Sequence, residues 1–313
     1  SLLNQSTKET YRIIVLNDGS TDNTLDKLAK YAGNSKIEIV NKNNTGASAT
    51  RNQGLKLAKS EYVTFVDADD YVENDYLESL LRQYSFQKCD LSIIGYCKED
   101  ENKEVRFKSL GEKSVLNRER ALHDILISTG FEGYLWNKLF RMSIISENSI
   151  RFHNNIKIAE DLLFCCEYIS HCNYVSLDPR VKYHYVVNIN SQINSQKYGN
   201  NFNVSSMDIL KVYDQIKVMV ETMDYPSVNS ALNASILWSS TSLLRMIYLA
   251  PNKASVPSEI IVKLTENQKI YRHDFLKNDI LPNRDKVIYW FNYYFPSLFA
   301  LLWRKMQLRG NGF

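Results

Sequence analysis

The chain has 313 residues, enough for one large domain or two smaller ones with a substantial core. Its formal net charge of +3, with no long basic stripe, argues against nucleic acid as a partner. Five cysteines, an odd number at irregular spacing, argue against a disulfide framework and for a reducing compartment; Cys165, Cys166 and Cys172 read as buried thiols rather than zinc ligands.

Ser1-Leu2-Leu3-Asn4-Gln5-Ser6 reads as a helix end running into a turn, with no signal peptide, so a segment upstream is expected to be missing. Residues 11–16 form a predicted buried strand, and Asn17-Asp18-Gly19-Ser20-Thr21-Asp22 a turn rich in capping residues. Leu25, Leu28 and Ala29 then predict an amphipathic helix over 23–32, stopped by Gly33. A second strand at 37–40, a polar loop at 41–45, a helix over 47–59 and a strand at 62–66 complete an alternation that predicts a parallel sheet with helices on its faces.

Asp67-Ala68-Asp69-Asp70 follows that last strand directly. A buried strand ending in carboxylates delivers oxygen ligands to the carboxyl edge of a sheet, where open α/β folds place their ligands. Hard oxygen donors with no accompanying Cys or His suit Mn²⁺ or Mg²⁺, ions that commonly bind one or two carboxylates plus substrate phosphates. Asp75 and Glu78 already cap the next helix, so the loop acids are surplus to capping.

Further on, 91–96 reads as a strand and 98–108 as a hairpin or surface excursion. Leu122, Ile125 and Leu126 mark a helix ending near Gly130, and Leu162, Leu163, Cys166 and Ile169 put one face of another helix in the core. Residues 181–187 are strand-like. Beyond about residue 195 the pattern turns helical, with a soft boundary in the polar stretch 190–201, which divides the chain into 1–193 and 194–313. The aromatic segment 289–303, flanked by Arg284, Lys286, Arg304, Lys305 and Arg309, is too short to span a bilayer. Two readings stay open: a membrane-interface segment over 284–309 with its cations on anionic lipid, or packing against the helical region.

Together, Asn17-Asp18-Gly19-Ser20-Thr21-Asp22, Asn44-Thr45-Gly46-Ala47-Ser48 running into Arg51-Asn52-Gln53-Gly54, Phe65-Val66-Asp67-Ala68-Asp69-Asp70 and Glu160-Asp161-Leu162-Leu163-Phe164 resemble the ordered motifs of family 2 glycosyltransferases. The resemblance implies an α/β GT-A domain over 1–193, lacking its first strand, with a mostly helical C-terminal region. It implies inverting transfer of a sugar from a nucleoside diphosphate, a UDP-sugar above all, to a glycan or lipid-linked acceptor in bacterial cell-envelope polysaccharide synthesis. The expected location is cytoplasmic, with a peripheral place on the inner face of the membrane under the interface reading of 284–309. A chain without its first strand is expected to be weakly active or inactive.

By the same resemblance, Asp18 sits against the nucleobase, Arg51 lines the nucleotide, Asp67 lies by the ribose and metal, and Asp69 binds the Mn²⁺ or Mg²⁺ that bridges the diphosphate. Asp161 is the general base, and its place at a helix N-terminus is expected to favour the ionised form. The residues by themselves allow plainer roles: a turn at Asp18, a solvated Arg51, helix packing by Asn52, Gly54 and Leu55, and dipole complementation by Glu160 and Asp161. Trp136 reads as an acceptor-side wall or a packing residue. Glu160 and His184 are auxiliary candidates, His184 because Val186 and Asn188 stand where many relatives carry Arg or His before Asn190-Ser191. Two rival readings are a nucleotidyltransferase and an inactive domain serving as an assembly partner.

Overall fold

The structure is a computed structural model that describes residues 1–87, 89–100, 105–107, 110–127, 129–187, 201–278 and 281–308. Its chain divides into two units, one formed by 1–121 and 133–187, the other by 122–132 and the described residues beyond 200. The expected boundary at 193/194 lies outside the described residues, as do Asn188, Asn190-Ser191 and Arg309.

In the first unit, strands β1 (Ile13–Asp18) and β2 (Ile37–Lys42) pair in parallel, with Ile13 opposite Ile37 and Asp18 opposite Lys42. The helix between them, α1 (Thr24–Ala29), is shorter than its sequence suggests, and Leu25 on its apolar stripe is 41% exposed. Helix α2 (Ala47–Leu57) lies on β1 at Gly54, where a Cβ would stand 3.0 Å from Leu16 Cδ1; the missing side chain permits that approach.

A separate mixed sheet is built from β3 (Tyr62–Val63), β4 (Tyr71–Val72), β5 (Leu91–Glu99), β6 (Val105–Phe107), β7 (Ser114–Asn117), β8 (Lys138–Arg141) and β9 (Tyr174–Val186). Its main path runs β3-β8-β5-β9-β4, with β6 on β5 and β7 on β9. Only β5 and β9 are parallel here; the other pairs are antiparallel. The predicted parallel sheet is therefore corrected to two parallel pairs, β1–β2 and β5–β9. Strands of two to four residues, such as β4 and β8, are too short to announce themselves by alternation, and the strand expected at 62–66 is confined to Tyr62–Val63. The expected hairpin appears as β5–β6.

Helices α3 (Tyr76–Gln87), α5 (Met142–Glu147) and α6 (Glu160–Ser170) accompany this sheet, while α4 (Arg118–Leu126) runs from the first unit into the second. The amide of Leu77 in the first turn of α3 donates to Gln5 Oε1 at 2.9 Å, so part of the cap comes from the N-terminal segment. Asp75, the expected cap, instead accepts from Ser79 and pairs with Lys182 at 2.8 Å. Val72, Tyr76, Leu80, Ile94, Tyr96, Trp136, Leu139 and Tyr183 form one buried cluster. All five cysteines are buried and free of disulfides.

The second unit is helical: α7 (Asp208–Glu221), α8 (Pro226–Leu249), α9 (Ser258–Ile270), α10 (Arg272–Lys277), α11 (Asn283–Tyr294) and α12 (Pro296–Leu308). Ala234 and Leu237 of α8, Phe275 of α10 and Tyr289 of α11 share a buried cluster with Leu281. The 24-residue α8 is buried along much of its length and serves as the hub.

Candidate active site

Asp18 closes β1 at the mouth of a turn that only glycine fits. Gly19 has φ +74°, and a Cβ there would lie 2.7 Å from Asn44 N, so the two loops can touch only without a side chain. The Asp18 carboxylate pairs with Lys42, its opposite number in the parallel ladder, and accepts from the amides of Thr45 and Gly46 at 2.9 Å each. Desolvation pushes this carboxyl up, but the bonds from Lys42, Thr45, Thr50 and Gly46 together outweigh it and hold it at about 2. A carboxylate has about four acceptor directions, and these four bonds fill them.

The acidic loop is pinned from β9. Tyr183 Oη accepts from the Asp67 amide at 3.2 Å and donates to Asp70 Oδ2 at 2.6 Å, while the Val186 amide donates to Asp70 Oδ1 at 2.8 Å. Asp70 is thus a clasp of the loop. Burial raises its carboxyl to about 6 against the pull of Tyr183 and Val186. Asp69 is exposed. Asp67 is held above the ordinary carboxylate range by desolvation; Arg51 opposes this, and the charges of Asp69 and Glu160 add to it.

The acid pair Glu160-Asp161 opens α6. Arg51 on α2 pairs with Glu160 at 2.6 Å and sits over the Phe152 ring at 5.6 Å. Asp161 follows in the first helical turn, its Oδ1 accepting from the Leu162 amide at 2.8 Å. The expectation that the helix terminus would favour its ionised form is corrected here: burial, with the charge of Glu160, raises its carboxyl to about 6 despite Arg51, the Leu162 amide and the buried Lys138. Close packing explains the desolvation, since a Cβ on Gly133 would stand 2.7 Å from Leu162 Cα.

Asp67, Arg51, Glu160 and Asp161 therefore share one electrostatic neighbourhood, with Arg51 acting on both Asp67 and Asp161. Trp136 stands apart from it in the core, 4% exposed and stacked on Tyr134 and Tyr183 at 4.7 and 4.3 Å. That burial accords with its packing reading. His184 points away from Tyr183 by strand alternation. It stacks on Tyr71 at 4.3 Å and bonds Glu73 at 2.9 Å and Cys97 Sγ at 3.2 Å.

Among the described residues, no group of three or more His, Cys, Asp or Glu is placed to hold a metal ion. The donor chemistry still fits a hard cation bound partly by substrate oxygens. Asp67, Glu160 and Asp161 act on or are acted on by an Arg51 already committed to Glu160, and Asp69 adds its charge beside Asp67, an excess of negative charge that a divalent ion would offset. Sequence reasoning missed Lys42, Tyr183 and Phe152. Only Lys42 left a signal, as the residue opposite Asp18 once β1 and β2 are paired in parallel.

A model described as Glycosyl transferase family 2 matches residues 1–147. The chain is 36% identical over 191 residues to the Staphylococcus aureus poly(ribitol-phosphate) beta-N-acetylglucosaminyltransferase TarP, covering 60% of this chain and 57% of that protein. It is 35% identical over 193 residues to the poly(ribitol-phosphate) beta-glucosyltransferase of Bacillus spizizenii (60% and 29%), and 32% identical over 185 residues to the cholesterol galactosyltransferase of Borreliella burgdorferi (56% and 51%). The chain thus spans no more than about 57% of any of these three relatives. Among solved structures, S. aureus TarS 1–349 in complex with UDP-GlcNAc aligns at TM-score 0.63 and 18% identity, covering 99% of this chain and 86% of that one. The same protein with UDP aligns at 0.60 and 17%, with the same coverage.

Proposed function

Because residues 1–147 are a glycosyl transferase family 2 domain, on a chain with the GT-A fold, we propose that this protein transfers a sugar from a UDP-sugar to a hydroxyl of a cell-envelope glycan or lipid-linked acceptor, with inversion. The observation that carries the reading is Arg51, which acts electrostatically on both Asp67 and Asp161 and so links the donor side to the base side. The relatives' names, with poly(ribitol-phosphate) and cholesterol in them, support a hydroxyl on a polymer or a lipid as acceptor, and the UDP and UDP-GlcNAc held by TarS support a uridine donor. Family 2 membership does not favour the nucleotidyltransferase or assembly-partner readings.

In this reading Asp18, held ionised by Lys42, Thr45 and Gly46, sits against the nucleobase. Arg51 offers its remaining N–H groups to the diphosphate. The acceptor hydroxyl oxygen bonds to the anomeric carbon as the bond from that carbon to the diphosphate oxygen breaks. The hydroxyl proton passes to Asp161 Oδ2, because Oδ1 is engaged by the Leu162 amide. Asp67 and Asp69 would hold a Mn²⁺ or Mg²⁺, which when bound supplies Lewis-acid stabilisation of the departing diphosphate. The test is transfer from UDP-sugars by the native chain and by Asp161→Asn, with UDP binding followed in parallel.

A peripheral place on the cytoplasmic membrane face belongs to the same reading. Trp290, Tyr294, Phe295, Leu298, Leu301 and Leu302 are exposed along α11 and α12, while Tyr289, Asn292, Phe299 and Ala300 are buried. Between residues 269 and 305 the sequence has seven Lys or Arg against three Asp or Glu, which suits anionic lipid. No helix among the described residues is long and apolar enough to cross a membrane.

A further inference from the structure

We propose that Asn52 is a positioning residue for Asp161: it clamps the segment 152–160 so that a left-handed turn at Ala159 aims the base. The inference rests on the glycosyltransferase reading for its activity arm only. Asn52 Nδ2 donates to Phe152 O at 2.8 Å, and the Phe152 amide donates to Asn52 Oδ1 at 2.9 Å. These two bonds join residues 100 positions apart with the geometry of a paired peptide. An amide side chain supplies the donor and the acceptor together; a carboxylate lacks the donor and an aliphatic chain lacks both.

The residue beside it works on the other end of the same segment, through the Arg51–Glu160 pair at 2.6 Å. Consecutive positions on α2 therefore hold both ends of the approach to α6. Phe152 is fixed by its ring as well, stacked on Phe164 at 4.2 Å and edge-on to Phe65 at 5.7 Å. Ile156, between the two anchors, is buried.

What the clamp maintains is a backbone conformation that the chain would not choose. Ala159, the residue before Glu160-Asp161, has φ +65° and ψ +26°. An L-residue with a Cβ is disfavoured in that region, and such conformations persist where the surroundings over-determine them. If the clamp is released, Ala159 should relax toward negative φ and swing the first turn of α6, with Asp161 on it.

The experiment compares the full chain with Asn52→Ala, Asn52→Gln, Ala159→Gly and the Asn52→Ala/Ala159→Gly double variant. Asn52→Gln keeps both polar groups one methylene farther out and is the milder variant should Asn52→Ala not fold. Amide hydrogen exchange over 152–163 should quicken about tenfold or more in Asn52→Ala, and less in Asn52→Gln, with exchange over 13–18 unchanged. In UDP-sugar transfer, kcat should fall about tenfold while donor KM stays within about twofold. Ala159→Gly in the Asn52→Ala background should return several-fold of the lost kcat, because glycine populates positive φ at little cost. Unchanged exchange over 152–163 would overturn the clamp, as would a raised donor KM with kcat intact or no rescue by Ala159→Gly. If the native chain neither transfers sugar nor binds UDP, the glycosyltransferase reading fails and the exchange arm still decides the clamp.

Discussion

Arg51 and Glu160, 109 positions apart, meet in an ion pair of 2.6 Å that joins the helix after the second strand to the helix bearing Asp161. The pair is only partly shielded from solvent, and its importance is positional. It brings a cation from the donor-side motif against the acids of the loop and of α6, so motifs scattered along the chain become one site.

Asp161→Asn should retain UDP-sugar binding and lose on the order of 10²–10⁴-fold in transfer rate, the scale of general-base catalysis. The native chain's transfer rate should rise with pH through about 6 and level off above it, because Asp161 can serve as base only when ionised. A rate independent of pH between 5 and 8, or near-native transfer by the variant, would remove Asp161 from the role.

The same residue should cost stability. Its folded pKa, about 6, lies above the ordinary carboxylate value of 3.8, so between those values the folded state binds more protons than the unfolded state. Stability contributed by Asp161 is therefore present below about pH 4 and is lost as pH rises through 6. Asp161→Asn should be more stable than the native chain at pH 7.5 by up to about 3 kcal/mol, converting a shift of roughly two pH units. The difference should vanish near pH 4 in denaturant titrations.

Metal and nucleotide should bind interdependently through Asp67 and Asp69, since a divalent ion held there would draw its remaining ligands from diphosphate oxygens. Calorimetric titration of UDP should show tighter binding with Mn²⁺ than without it, and Asp69→Ala should abolish the difference. Equal affinity in all arms is the contrary result.

Tyr183→Phe removes the hydroxyl shared by the Asp67 amide and Asp70. The fold should lose about 1–3 kcal/mol, the cost of leaving buried polar groups unpaired. The Mn²⁺-dependent part of UDP affinity should fall with it as the loop loosens. Thermal denaturation and the calorimetric titration above check both.

The exposed strip on α11 and α12 should hold the protein on anionic vesicles and release it partly as salt screens the basic residues. Leu298→Ser with Leu301→Ser should reduce flotation strongly without lowering the melting temperature, since both side chains are exposed. Flotation that is absent in the native protein, or unchanged in the variant, assigns this face elsewhere.

The alternation of strands and helices, the acidic loop and the acid pair at 160–161 were legible because each is a local pattern: a run of apolar residues, a change of period, carboxylates at a strand or helix end. Those patterns pointed to an α/β fold and to Asp67 and Asp69 as candidate ligands, whereas Asp18, Arg51 and Asp161 became candidates only through the resemblance of the ordered motifs to family 2 glycosyltransferases. They could not reveal that Asp70 serves as a clasp, that Trp136 is packed into the core, or that His184 is occupied by Glu73, Cys97 and Tyr71. Those outcomes depend on which strands become neighbours and in what register. The pairing of β9 with β5 and β4 brings Tyr183 to the loop and turns His184 to the other face. The pKa of Asp161 was misjudged for the same reason: helix position is written in the sequence, whereas the desolvation that outweighs it comes from residues brought close only by tertiary packing.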